Sequence, residues 1–163
     1  MKLAIGCDEA AYHLKMILME HLRRQEIEVE DFGAAQGEKV LYPDIAYAVA
    51  DAVAAGRFER GILLCGTGIG MAMCANKVPG IRAAVCHDPF SAERSRKSNN
   101  AQILCMGERV IGEELAKYLT DVWLNCDFQG GGSAPKVERM MSLEREHIRQ
   151  YEEGNRNAGK IVE

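Results

Sequence analysis

The 163-residue sequence lacks an excess of positive charge. It has 20 Lys and Arg against 24 Asp and Glu, a formal net charge of −4 at pH 7. A nucleic-acid-binding face needs clustered basic residues, so we do not expect nucleic acid as a partner. The sequence also lacks an apolar run near the roughly 20 residues that span a bilayer, and its opening residues are too few and too mixed for a signal peptide. We therefore do not expect a membrane partner.

Cysteine pairs of the C-x-x-C type are missing as well, although six cysteines are present. Most of them lie inside apolar segments. Zinc ribbons and disulfide frameworks need characteristic cysteine spacings, so we expect neither of them. This use of cysteine is typical of a cytoplasmic protein with reduced thiols. The six residues are Cys7, Cys65, Cys74, Cys86, Cys105 and Cys126.

What the sequence does contain is an alternation of short apolar runs with longer amphipathic segments. The short runs predict five β-strands, over residues 2–7, 27–32, 61–65, 81–86 and 102–106. The longer segments predict six helices, over residues 10–25, 44–55 (capped by Asp44), 71–77, 91–98, 112–126 and 134–153. This order predicts an α/β fold, with a five-stranded parallel sheet between two helical layers. We expect one domain over residues 1–153, its last helix packing in the core or between subunits, and a loosely held tail over residues 154–163.

In open parallel sheets, ligands bind beyond the carboxyl ends of the strands. The residues that follow the predicted strands are therefore the first candidates for a site. They are Asp8, residues 65–70, His87 with Asp88, and residues 107–109.

The stretch Cys65-Gly66-Thr67-Gly68-Ile69-Gly70 is the most informative of these candidates. A strand ends in a cysteine, and alternating glycines lead into a helix, whose amino terminus favours a thiolate and binds anions. The pattern is not a dinucleotide fingerprint, because methionines occupy the third-glycine positions, and it is not a Walker A loop, because no Gly-Lys-Ser/Thr follows. A purely structural role, with Cys65 as a small buried hydrophobe, remains open on this stretch alone.

These residues, together with several other segments, resemble the family of ribose-5-phosphate isomerase B and galactose-6-phosphate isomerase. The likeness extends over about residues 2–150 and is nearest to the branch that isomerises tetrulose phosphates. The other segments that carry it are Gly6-Cys7-Asp8, Tyr42-Pro43, the run from Ala75 to Ala83 (ANKVPGIRA), Ser91-Ala92, Asn99 and the run from Gly107 to Gly112 (GERVIG).

The resemblance implies a Rossmann-like αβα sandwich that isomerises a sugar phosphate through an enediolate, without metal or organic cofactor. It implies a homodimer or homotetramer whose active sites lie where subunits meet. Its catalytic residues would be Cys65 as the proton-transfer base, Thr67 and Asp8. Its substrate-binding residues would include the loop glycines Gly66, Gly68 and Gly70, together with Asn99 and Tyr42. Arg109 and Lys136 would bind the phosphate.

Several positions depart from the family pattern, and they affect the substrate. Glu9 and Ser98 stand where many members have histidines, the second of which is credited with opening a furanose ring. Lys136 and Gly132 align with two phosphate-binding arginines. A four-carbon aldose 4-phosphate cannot close a furanose, because its fourth oxygen is esterified, so Ser98 favours erythrulose 4-phosphate over ribose 5-phosphate.

Several alternatives remain open at this point. His87 is a second candidate for opening a ring, and Glu9 either binds a sugar hydroxyl or turns away from the substrate. The departures also permit a non-phosphorylated sugar, or a sugar-phosphate sensor that has lost catalysis. A thiol hydrolase with Cys65 as nucleophile would need a histidine near the turn, and none lies close in sequence.

Overall fold

The computed structural model describes residues 1–159, and it divides into two compact units. The first unit, Met1–Gln129, contains a single sheet of five parallel strands in the order β2-β1-β3-β5-β4. The strands are β1 (Lys2–Cys7), β2 (Glu28–Asp31), β3 (Arg60–Cys65), β4 (Ala83–Val85) and β5 (Ile103–Gly107). The predicted α/β sandwich with a five-stranded parallel sheet is thus confirmed, and the central strand is the one that ends in Cys65.

Helices cover both faces of this sheet, because side chains alternate between the two faces along each strand. One face packs against α1, α4 and α5, and the other against α2 and α3. On β3, Ile62 and Leu64 belong to the first cluster, whereas Leu63 and Cys65 belong to the second. The helices are α1 (Tyr12–Arg24), α2 (Tyr42–Ala54), α3 (Ile69–Ala75), α4 (Pro89–Lys97) and α5 (Glu113–Leu124).

The start of α2 differs from the prediction. The helix begins at Tyr42, with Leu41 at the N-cap and Pro43 in the first turn, so Asp44 is not the cap. Proline is favoured in a first turn because the amide hydrogens there have no partner within the helix. Asp44 lies inside this turn, where a carboxylate interacts favourably with the helix dipole.

The second unit begins at Gly130 and contains a short 3-10 turn, Gly131–Ser133, followed by α6 (Ala134–Gly159). This helix runs past the predicted end at residue 153. Residues 154–159 of the predicted tail belong to this helix, and the remainder of that tail, residues 160–163, lies outside the described residues. In the described part of the chain, no helix combines the length and the apolar character needed to cross a membrane.

Candidate active site

Cys65 ends the central strand, directly beside Gly107 at the end of β5. Its Sγ accepts the backbone N–H of Gly68 at 3.1 Å. A hydrogen bond donated to sulfur stabilises negative charge that develops on it. The residue keeps 6% of its surface exposed, on the face of the sheet that α2 and α3 cover.

Two backbone contacts bring the cysteine turn against the loop that follows β5. Gly68 has φ = +78°, and a Cβ at this position would lie 3.0 Å from backbone atoms of Met106. A Cβ at Gly107 would lie only 2.5 Å from the Cα of Thr67. Glycine is required at both positions, at Gly68 for its left-handed backbone and at both for the close approach. The position of Thr67 therefore depends on the absence of two side chains.

Thr67 and Tyr42 lie at the open side of the turn. The Thr67 side chain is exposed, and its Oγ1 accepts the N–H of Ile69 at 3.3 Å. The Tyr42 ring covers Gly70, where a Cβ would come within 2.7 Å of the ring carbon Cε2. The structure thus brings together Cys65, Thr67 and Tyr42 as the resemblance implies.

Asp8 and Arg109 come to the same edge from the two strands that flank β3. Arg109 lies along the backbone of Gly66, where a Cβ would be 3.4 Å from Arg109 Cδ. Burial raises the pKa of Asp8 above its ordinary value; the neighbouring Glu9 adds to the rise, and the positive charge of Arg109 opposes it. The Asp8 carboxylate also accepts the N–H of Ala10 at 3.0 Å. A carboxylate and a guanidinium therefore flank the cysteine turn.

Glu108 is a residue of this edge whose role the sequence did not indicate. Its carboxylate accepts the N–H of Leu14 at 3.0 Å, in the first turn of α1. The N-cap of α1 is Ala11, which has no side chain able to accept that bond. The signal for this contact is the missing side-chain cap at Ala11, because an uncapped helix start needs an acceptor from another part of the chain. Glu108 thereby ties the loop after β5 to the helix after β1.

His87 follows β4 at the same edge, and its Nε2 accepts the N–H of Gly107 at 3.0 Å. Burial lowers the pKa of His87, while Asp88 opposes the change. The ring nitrogen that faces the site is thus already engaged. A ring-opening role for His87, one of the alternatives drawn from the sequence, would have to use Nδ1.

Ser98 and Asn99 do not join these residues within one chain. They follow α4, next to Asn100, whose carbonyl oxygen accepts Nε of Arg82 at 3.0 Å. Arg82 and Asn100 lie at the amino ends of β4 and β5, whereas Cys65 lies at the carboxyl edge. The four residue-to-residue steps along β5, from Ile103 to Gly107, rise by about 3.3 Å each and separate the two edges by about 13 Å. The helical crossover accounts for this, because α4 runs back towards the starts of the strands.

Lys136 is in the first turn of α6, in the second unit, and Glu9 is exposed at the start of the 3-10 turn Glu9–Ala11. Their roles, like the phosphate-binding role of Arg109, remain predictions. Among the described residues, no group of three or more His, Cys, Asp and Glu is placed to hold a metal ion.

Comparison with known proteins identifies the family of the chain. The sequence profile of the family described as Ribose/Galactose Isomerase matches residues 3–140. D-erythrulose-4-phosphate isomerase of Pectobacterium atrosepticum is 54% identical over 141 residues, which are 86% of this chain and 93% of that protein. Ribose-5-P isomerase B of Listeria innocua is 54% identical over 147 residues, or 90% and 99% of the two chains.

Solved structures give the same result. Ribose-5-phosphate isomerase B of Clostridium thermocellum superposes with a TM-score of 0.88 at 46% identity, covering 90% of this chain and 99% of that one. The parallel sheet and its cysteine turn, with these relatives, define the chain as an aldose–ketose isomerase. The chain belongs to the ribose/galactose isomerase family.

Proposed function

We propose that this isomerase interconverts the keto and aldo forms of a short-chain sugar phosphate through a cis-enediolate, with Cys65 as the base. The observation that carries the proposal is the bond from the Gly68 N–H to Cys65 Sγ at 3.1 Å, on a turn flanked by Asp8 and Arg109. A thiolate at this place has oxygen-binding groups on both sides of it. That is the arrangement proton transfer next to a carbonyl requires.

The proposed reaction conserves every proton. The Cys65 thiolate removes the proton from C1 of the ketose, next to the C2 carbonyl, and an enediolate forms. The same sulfur returns the proton to C2, while the hydroxyl proton passes from the oxygen on C1 to the oxygen on C2. The product is the aldose, and no electron leaves the substrate.

The neighbouring groups stabilise the charge that develops on the two oxygens. Thr67 and the backbone N–H groups of the turn other than those of Gly68 and Ile69 donate to these oxygens. Asp8 orients a substrate hydroxyl. Such donors act most strongly where water is excluded. Arg109 binds the phosphate, because its guanidinium presents paired donors to phosphate oxygens.

We further propose a four-carbon substrate, erythrulose 4-phosphate. The relatives alone do not decide the chain length, since the two described above have the same identity and are named for four-carbon and five-carbon sugars. Ser98 supports the shorter sugar, because a tetrose 4-phosphate cannot form a furanose and needs no histidine to open one. Ribose 5-phosphate is the second candidate.

A complete site in this proposal takes Asn99 from a second copy of the chain. Within one chain, Asn99 lies at the opposite edge of the sheet from Cys65. Exposed apolar side chains near the cysteine turn, Leu41 (72%), Ile69 (55%) and Met73 (64%), suit a contact between copies. A homodimer would bring the amino edge of one copy to the carboxyl edge of the other.

The test is a panel of four-, five- and six-carbon sugar phosphates, assayed with the wild type and with Cys65→Ala. We expect the highest kcat/KM for erythrulose 4-phosphate, and no turnover of any substrate above background in the variant. A much higher kcat/KM for ribose 5-phosphate would overturn the four-carbon assignment. Binding of a sugar phosphate without turnover by the wild type would overturn the proposed activity altogether.

A further inference from the structure

His87 makes a specific contact that the proposed chemistry does not use. Its Nε2 accepts the N–H of Gly107 at 3.0 Å. A nitrogen that accepts a hydrogen bond carries no proton, so the ring proton lies on Nδ1 and the imidazole is neutral. Burial lowers the pKa of His87, which favours this neutral form.

Gly107, which donates its N–H to His87, is the first residue of the loop from Gly107 to Arg109, here called the Gly107 loop. Gly107 packs closely against Thr67, since a Cβ built at Gly107 would lie 2.5 Å from the Thr67 Cα. The next two residues bond to the cysteine turn: the Glu108 N–H donates to the Cys65 carbonyl at 3.0 Å, and the Arg109 N–H to the Gly66 carbonyl at 3.1 Å. A shift at Gly107 would therefore move Arg109, which follows it in the same loop.

We propose that His87 is a positioning residue, whose neutral ring fixes the Gly107 loop and so places the Arg109 side chain for a phosphate group. The residue does not contact the substrate in this proposal. The inference rests on the proposed function, because it assigns the phosphate to Arg109. It replaces the ring-opening role considered from the sequence with a role that fits the engaged Nε2.

The charged groups around His87 define what a pH experiment measures. Asp88 is its chain neighbour, and that carboxylate accepts the N–H of Ser91 at the start of α4. Across from it, the Gly107 loop carries Glu108, which faces Leu14, and Arg109, which lies along Gly66. Cys65 lies beyond this loop at the end of β3. Each of these groups, and the substrate phosphate, is unchanged in a His87 variant. The ratio of the KM values of variant and wild type therefore reports the effect of the imidazole alone.

Three variants test the proposal: His87→Ala, which removes the acceptor; His87→Gln, which keeps an acceptor that does not titrate; and His13→Gln, an exposed histidine of α1, as the control. We expect His87→Ala to raise KM about tenfold, the equivalent of one hydrogen bond, with kcat within about threefold of wild type. His87→Gln and His13→Gln should stay within about threefold of wild type in both constants. A purely structural role would instead lower the folded fraction and leave KM unchanged.

The pH dependence supplies a second readout. As the pH falls through the pKa of His87, which burial lowers below the ordinary value of 6.5, protonation of Nε2 removes the acceptor in the wild type but not in His87→Gln. The ratio of wild-type KM to His87→Gln KM should therefore rise towards acidic pH. A flat ratio, or an equal rise of KM in His87→Ala and His87→Gln, would overturn the proposal, as would a His87→Ala KM within twofold of wild type.

Two measurements keep the test decisive if a variant or the activity fails. If His87→Ala does not fold, the pH dependence of the ratio of wild-type KM to His87→Gln KM decides. A rise towards acidic pH supports the proposal, and a flat ratio overturns it. If the wild type turns over no sugar phosphate, the proposed function fails. The dissociation constant for inorganic phosphate then tests His87 alone: weaker binding in His87→Ala than in His87→Gln supports the positioning role, and equal binding contradicts it.

Discussion

At the scale of single residues, burial can oppose the charge state that a proposed role requires. Asp8 is the clearest case, since burial raises its pKa while its proposed task is to act as a carboxylate beside Arg109. A raised carboxyl pKa means that the folded state binds a proton more tightly than the unfolded state. The contribution of Asp8 to stability is therefore full below pH 3.8 and is lost as the pH rises through its folded pKa.

Replacing Asp8 with asparagine tests this conflict. The variant keeps an oxygen acceptor for the Ala10 N–H but has no charge to bury. At pH 7 we expect its free energy of unfolding to equal or exceed that of the wild type, measured by urea titration, and its kcat/KM to fall about 100-fold. The stability difference should grow in favour of the variant as the pH rises from 3.8. A variant that is less stable at pH 7 yet fully active would contradict this account.

A residue's role can be predicted from the sequence when it depends only on the residue's own strand or loop. The positions of Asp8, Cys65 and Arg109 at the carboxyl edge could be predicted, because residues at or just after the end of a parallel strand lie at the ligand edge whatever the strand order is. The roles of Glu108 and His87 were not found, because each bonds to a backbone N–H on a different element. Such contacts depend on the pairing of β5 with β3 and β4, which the sequence did not specify.

At the scale of elements, the site is a junction of two strand-end loops pressed together. β3 and β5 are adjacent in the sheet although α3, β4 and α4 lie between them in sequence. Their last residues, Cys65 and Gly107, pair, and the backbone of each following loop bonds to the other. The order of strands thus determines the geometry of the catalytic turn.

Gly107→Ala tests the tightness of this junction, with Gly112→Ala as its matched control. The added methyl group would overlap the backbone of Thr67 and displace the turn, so we expect kcat/KM to fall about 100-fold. Gly112 has φ = −80° and open space where a Cβ would lie. Its variant should retain kcat/KM within about twofold. Equal activity of the two variants would show that the close approach is unimportant.

The element boundaries show where sequence patterns are reliable. β1 was predicted to the residue, because an apolar run ending in a charged residue marks a buried strand clearly. The start of α2 was misplaced, since Asp44 looks like a cap although Pro43 already occupies the first turn. The end of α6 was also misplaced, because Gly154 resembles a stop signal but lies within the helix.

At the scale of the whole molecule, the predicted site residues divide between two edges of one sheet. Cys65 and Asp8 lie at the carboxyl edge, and Ser98 and Asn99 lie at the amino edge. The sequence resemblance implied that all of them serve one site. The dimer proposed above, in which each site draws on both copies, would reconcile these facts.

Mixing two inactive variants tests the shared site. Cys65→Ala and Asn99→Ala would each disable both sites of a homodimer. In a mixed dimer, one site carries both substitutions and the other carries neither. Unfolding and refolding an equimolar mixture should therefore restore about a quarter of wild-type activity, because half of the dimers are mixed and each has one intact site. Activity no greater than the mean of the separate variants would show that each site lies within one chain.

The most direct test of the central claim is the transfer of solvent deuterium by Cys65. In D2O, the wild type should place deuterium on the carbon next to the carbonyl of the substrate as it equilibrates aldose and ketose, detected by NMR. Cys65→Ala should still bind the sugar phosphate, while its exchange rate falls by 10³-fold or thereabouts, within the range for loss of a general base. Exchange by Cys65→Ala at the wild-type rate would contradict the proposal that this sulfur carries the proton.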